Sequence, residues 1–255
     1  MMFLKILKKA VPVPRLEKFD RFLFVGPHPD DIEVACGGTV ARLKQLGKHV
    51  TFVVVTDGSV GSIDQTLTGQ QLAETRRQES LKSAKILGVE EQDVVFLNFG
   101  DGNNYNVDEV TRSLVQCIVK FRPDVVLCPD HTVRSETHPD HINVGRCCTL
   151  ANFYASWKAT AERMGSDETW LTRAIAYYYT DRPNTYVGVT KTFQKKMQAI
   201  SCHKSQFTQA DIKSFNTYFR LRGARFGLRC GKRNAEGFCA LSNVHQHCFP
   251  EASEF

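Results

Sequence analysis

Short apolar runs alternate along the first half of the chain with longer stretches whose apolar positions recur every three or four residues. The runs cover residues 22–25, 50–56, 94–97 and 124–128, lengths that suit strands buried on both faces. Gly37 and Gly38 open a predicted helix that runs through residues 39–46 and closes at Gly47. A longer one spans about 70–87, with Leu72, Thr75, Leu81, Ala84 and Leu87 on its inner face and Gly88 as its stop. Val107, Val110, Leu114, Cys117, Ile118 and Phe121 mark a third helix, ended by Pro123, and a fourth runs to about 156. This alternation predicts an α/β fold, a Rossmann-like, mostly parallel sheet flanked by helices.

Beyond Gly165 the pattern changes. Residues 174–180 and 185–189 read as strands and about 192–203 and 209–221 as helices, which makes a C-terminal strand and helix elaboration. No repeat or low-complexity linker divides the chain, so 20–255 reads as one domain and 1–19 as a basic amphipathic N-terminal extension. Residues 1–10 suit a short helix packed on the domain, with membrane-surface contact as the alternative.

The ends of two strands carry the chemistry. Residues 28–31 read His-Pro-Asp-Asp behind the first apolar run, and residues 138–141 read His-Pro-Asp-His after the fourth. In parallel sheets ligands gather outside the carboxyl ends of the strands. A hydrolytic zinc site needs about three His, Asp or Glu ligands and an open position for water. His28, one of Asp30 and Asp31, and His138 or His141 would supply that set. Adjacent aspartates point apart, so one can bind metal while its neighbour takes a proton from the bound water. Pro and Asp also favour plain turns, but two such loops at separate strand ends outweigh that reading. Arg76 and Glu79 sit three apart on the second helix, either as an intrahelical ion pair or with Arg76 reaching the site. Asp101, in a polar loop on the same edge, is a candidate to hold a substrate hydroxyl, an Asp-Gly turn being the alternative.

Charge modifies this picture. The chain carries net +6, yet residues 191–233 hold eleven Lys and Arg against the single acid Asp211. Such a block can steer an acidic substrate, or be a solvated face; no recognised nucleic-acid module accompanies it. Nine cysteines, an odd number, scatter without a secretory signal, so reduced thiols in the cytoplasm are expected. Cys230, Cys239, His245, His247 and Cys248 cluster in the tail, but their spacing suits thiols better than a second metal site.

Together, 28–31 with Gly37-Gly38-Thr39, Arg76-x-x-Glu79 before Leu87-Gly88, and 138–141 resemble the PIG-L/LmbE-like N-acetylglucosaminyl deacetylase family over about residues 21–238. His203-Lys204-Ser205-Gln206 and Ala235-Glu236-Gly237-Phe238 are lesser echoes. The resemblance implies that His28, Asp31 and His141 bind one zinc, Fe(II) or another divalent ion being an alternative. It makes Asp30 the general base, His138 the group that stabilises the oxyanion or protonates the leaving amine, and Asp140 the orienter of a neighbouring histidine. Arg76 would contact substrate. Glu136 stands where related members often have Asp. The implied activity is removal of acetyl from a small N-acetylated sugar conjugate, acidic if the basic block binds it, by a protein for which a homo-oligomer is admitted.

Three other functions compete. Two His and one carboxylate can hold Fe(II) in an oxygenase, although such enzymes favour antiparallel β folds. An inactive sugar- or metal-binding protein would not need Asp30 or His138. A dinucleotide oxidoreductase could use Asp57 at the end of the second strand, but the first loop lacks G-x-G-x-x-G.

Overall fold

In the computed structural model, which describes residues 2–64, 66–247 and 249–254, the apolar runs become strands of a seven-stranded sheet. The elements in chain order are α1 (Met2–Ala10), β1 (Arg21–Gly26), α2 (Asp31–Gln45), β2 (His49–Thr56), α3 (Gly69–Leu87), β3 (Val94–Phe99), α4 (Val107–Phe121) and β4 (Val125–Pro129). They continue as α5 (Pro139–Tyr154), α6 (Lys158–Arg163), β5 (Ala174–Tyr178), β6 (Thr185–Gly188), α7 (Phe193–Ile200), α8 (Gln209–Cys230) and β7 (Ala235–Ser242). The sheet order is β3-β2-β1-β4-β5-β7-β6. The pairs from β3 through to β5 are parallel, and β7 runs antiparallel to both its neighbours. The fold is thus α/β and mostly parallel, as the alternation predicts.

Strand periodicity sorts side chains into two layers. Phe22 and Phe24 of β1 pack with Val40 and Leu43 of α2 and Leu87 of α3, while Leu23 and Val25 pack with Leu114 and Ile118 of α4 and Val144 of α5. Each such buried side chain contributes about 1.5–3 kcal/mol. Both faces of β1 and β4 are covered, hence their unbroken apolar runs.

Four features depart from the sequence reading. Helix α2 starts at Asp31, not at Gly37, because Val34 N–H already donates to Asp30 O at 3.0 Å; residue 31 therefore stands in its first turn. The inner face of α3 is largely polar: Arg76, Glu79, Ser80 and Ser83 are buried beside Leu72, Ala84 and Leu87. Helix α8 continues past Leu221 through Gly223 and Gly227, against which the Asn234 side chain and the Lys232 carbonyl pack. Strand β7 was not anticipated, since Glu236 and Gly237 interrupt its apolar run; its ladder is completed only by pairing with β5 and β6.

The chain leaves β1 towards β2 and β3 on one side, then returns through α4 to β4 on the other. The carboxyl ends of β1 and β4 therefore flank a topological switch point, where open α/β sheets bind ligands. Before β1, Leu16 is buried in the core and Pro14 O accepts from Thr185 Oγ1 at 2.8 Å, so the segment after α1 is docked. No described helix is long and apolar enough to cross a membrane.

Candidate metal centre and active-site cleft

Pro27 O accepts from both N–H and Oγ1 of Thr56, at 2.9 and 2.8 Å, which pins the loop after β1 to the end of β2. The loop then turns so that Asp30 immediately precedes α2, without a side-chain cap bond, and Asp31 opens it. Across the switch point His138 caps α5, its Nδ1 accepting from Asp140 N–H at 3.3 Å with Pro139 at the first helical position. Asp31 and Asp140 occupy the first turns of two helices, where the dipole favours negative charge.

His28 is buried among three carboxylates. Its Nδ1 lies 3.0 Å from Asp31 Oδ2, and its Nε2 lies 3.1 Å from Asp140 Oδ2 and 3.2 Å from Asp101 Oδ1. His141 Nε2 stands 3.3 Å from Asp31 Oδ1, while its Nδ1 meets Glu136 Oε2 at 3.0 Å. Each imidazole is thus held by acids on one nitrogen and turns the other towards Asp31. That is the arrangement by which outer carboxylates orient metal-binding histidines.

His28, Asp31 and His141 can bring ligand atoms within 4.8 Å of one another, as can His28, His138 and Asp140. The first set fits a metal better. Asp140 already accepts from the N–H groups of Gly102 and Asn103, at 3.1 and 2.8 Å, besides facing His28. Asp31 accepts one backbone N–H, that of His28 at 2.9 Å, and stands between two imidazoles. The tail offers no such cluster among the described residues, and Cys248 lies outside them.

Electrostatics follow from these contacts. Burial by itself lowers the pKa of His28, but Asp101, Asp140 and Asp31 together push it up to about 12. Burial likewise opposes protonation of His141, and Asp31 and Glu136 raise it to about 9. His138 is lowered, first by burial and then by the positive His28 and His141. For Asp30, burial outweighs the pull of Arg76 and raises the carboxyl, whereas the two histidines overcome burial and hold Asp31 well below the usual range.

Arg76 points into the cleft but is already engaged. Its guanidinium lies 3.4 Å from Asp30 Oδ2 and 3.9 Å from Asp101 Oδ2, and donates to Gly58 O at 3.1 Å. Gly58, at φ +68°, is where a Cβ would strike that guanidinium at 2.9 Å. The Arg76–Glu79 ion pair offered as an alternative does not form; Glu79 accepts from Ser205 N–H at 3.0 Å and Ser205 Oγ at 2.6 Å. Asp101, besides facing His28, accepts from Val60 N–H at 3.1 Å.

None of the eleven basic residues in 191–233 lines this cleft. Lys196 is buried against Glu236 at 2.6 Å, and Arg220 and Arg222 lie over Phe193 and Phe226. Five of the eleven, Lys213, Arg220, Arg222, Arg225 and Arg229, lie on α8.

Sequence reasoning passed over Tyr179. Its hydroxyl lies 3.3 Å from both the carbonyl and Oδ1 of Asp31, and its ring stacks on His141 at 5.7 Å and 10°. It does so from φ +55°, a strained backbone for a bulky residue. The only linear signal was its place at the end of a strand. Tyr179→Phe is expected to weaken metal binding about tenfold, measured by competition with a chromogenic chelator; undiminished affinity would show that the hydroxyl does not steady Asp31.

Comparisons with known proteins point the same way. A family profile described as PIG-L, GlcNAc-PI de-N-acetylase, matches residues 23–152. Diacetylchitobiose deacetylase of Thermococcus kodakarensis is 33% identical over 91% of this chain and 87% of its own length. The probable N-acetyl-alpha-D-glucosaminyl L-malate deacetylase 2 of Bacillus cereus is 26% identical over 79% of this chain and 90% of its own. Among solved structures, N,N'-diacetylchitobiose deacetylase from Pyrococcus horikoshii, complexed with its inhibitor MPG, superposes with a TM-score of 0.89 at 30% identity, covering 100% of this chain and 97% of that one.

Proposed function

This chain belongs to the PIG-L family of de-N-acetylases, and on that footing we propose that it is a zinc-dependent amidohydrolase that removes acetyl from an N-acetylglucosaminyl saccharide. The observation that carries the reading is the pair of carboxylate-held imidazoles, on His28 and His141, turned towards Asp31 beside Asp30, which pairs with Arg76 and with neither imidazole. A divalent ion held by His28, Asp31 and His141 would polarise the amide carbonyl and acidify water.

The remaining chemistry belongs to side chains. Asp30, buried enough to be a stronger base than an exposed aspartate, takes a proton from the attacking water. His138, whose Nδ1 accepts from Asp140 N–H, carries its proton on Nε2 when neutral, and so donates a hydrogen bond to the developing oxyanion. The C–O bond forms first as the carbonyl becomes an oxyanion; when the carbonyl re-forms the C–N bond breaks, and Asp30 passes its proton to the departing nitrogen. The products are acetate and the free amine. Arg76 and Asp101 act in this reading by placing Asp30 and His28 rather than by grasping the sugar.

The acidic-substrate expectation loses its footing, because the basic block lies outside the cleft. A neutral saccharide is the better fit. The eight described cysteines are all free thiols, which keeps the cytoplasm as the proposed compartment. An oxygenase is disfavoured by the parallel sheet and has no evident use for Asp30.

The test is acetate release from N-acetylglucosamine, N,N'-diacetylchitobiose and N-acetylglucosamine 6-phosphate by the metal-loaded protein. Release from the neutral sugars is expected. Metal bound without release from any of the three would overturn the assignment.

A further inference from the structure

Helix α8 has a face that the reaction does not use. Its inner side is packed, with Phe219, Gly223, Phe226 and Gly227 buried. On the opposite side Thr217, Leu221, Ala224 and Leu228 follow one another at steps of four and three residues, and all four are exposed. Leu221 is 70% and Leu228 85% exposed, the two large apolar side chains left most open among the described residues. We infer that this outer face of α8 docks on a membrane surface that carries anionic lipids, and so draws the chain to a bilayer it does not span.

Cations frame the ridge. Lys213 and Arg220 stand along one flank and Arg225 and Arg229 along the other, with Tyr218 beside them; all five are exposed. A single exposed leucine is ordinary on a protein surface. Two on one ridge, between rows of Lys and Arg, make the pattern of a helix that lies in a lipid interface, with apolar side chains among the acyl chains and cations at the level of the phosphates. Tyr218 suits the same depth, because its ring is apolar and its hydroxyl stays wet.

The charge is uncompensated. The only acid of α8, Asp211, is spent at its start, where the carboxylate accepts from the N–H and hydroxyl of Thr208 at 2.8 and 2.6 Å. No described acid pairs with Lys213, Arg225 or Arg229. An extended anionic surface complements such a face. Membrane leaflets that face the cytoplasm are anionic, and each Lys or Arg held at one strengthens binding about fivefold.

Other occupants fit less well. A second copy, paired through the same face by a twofold axis, would set arginines against arginines. The ridge from Thr217 to Leu228 is about 16 Å long, and its three apolar side chains fall short of the roughly 800 Å² that each partner of a standard interface covers. A nucleic acid or an acidic peptide would take the arginines and leave both leucines wet. A bilayer takes both.

The experiment is co-sedimentation of the full chain with phosphatidylcholine vesicles, with and without phosphatidylserine. The wild type should partition onto the phosphatidylserine vesicles alone, and less so as salt rises and screens the arginines. Arg225→Gln with Arg229→Gln should weaken that binding about 25-fold, and Leu221→Gln with Leu228→Gln about tenfold. Leu221→Trp should strengthen it. Melting curves that match the wild type show the variants folded. Binding lost with the arginines but untouched by the leucine changes would mean adsorption to charge alone, and would overturn the docking face. Equal binding to both kinds of vesicle would overturn it as well. So would a wild type that stays off the vesicles; light scattering of the leucine variant then tells whether a second copy covers the ridge instead.

Discussion

Asp30→Asn should lower kcat for acetate release by about 10²- to 10⁴-fold, the usual worth of a positioned general base, while bound metal stays at the wild-type level. Asparagine keeps the volume of the side chain and its contact with Arg76, now 3.4 Å from the carboxylate, but cannot take a proton. The two aspartates of the 28–31 loop divide their work by direction. Asp31 spends both oxygens on the histidines, at 3.0 and 3.3 Å, whereas among the described residues the Asp30 carboxylate pairs with Arg76 alone. Metal analysis beside a progress curve separates the two roles. Near-normal turnover in the mutant would move the base elsewhere, His138 being the next candidate in reach.

Asp31→Ala should behave differently: metal is lost, and activity with it. The same three side chains set a pH dependence. Without metal, His28 and His141 are cations at neutral pH, with pKa values pushed to about 12 and about 9. Binding must displace about two protons at pH 7, so the apparent metal affinity falls steeply as pH drops. The stability of the chelated protein runs the other way. A raised folded-state pKa gives His141 a stabilising share that is complete below its unfolded value near 6.5 and is lost as pH rises through about 9. The chelated protein should therefore lose thermal stability between neutrality and pH 9 or so, while the metal-loaded form, whose ion replaces those protons among the carboxylates, should not. Calorimetry in two buffers of different ionisation enthalpy counts the protons; uptake without proton release would exclude His28 and His141 as ligands.

The relation between chain and fold is uneven. The apolar runs at 22–25, 50–56, 94–97 and 124–128 identify four strands because a strand covered on both faces needs an unbroken apolar run. The two His-Asp loops stand out because each packs its chemistry into four consecutive residues behind such a run. With the alternation of periods, they place the candidate centre on one edge of a parallel sheet before any coordinates are consulted.

Pairings across the fold were not available in that way. That Asp140 would hold His28, 112 residues earlier, depends on the chain returning through α4 to lay β4 beside β1. Glu136 was visible only as a departure from a motif, and its grip on His141 needs the turn before α5 to fold back. Arg76 stood out as a candidate substrate ligand; that it lines the cleft while meeting Asp30, Asp101 and Gly58 O follows only once α3 turns a polar face inward. The basic block looked like a substrate-binding surface because charge is additive along a sequence, whereas none of its Lys and Arg lines the cleft. Periodicity and local chemistry act over one turn or one strand, and the sequence determined what they govern: the strands, the loops and the kinds of ligand. Which distant groups meet, and that a residue such as Tyr179 lies against Asp31 and His141, follows from crossover topology and packing, and only the tertiary structure decided it.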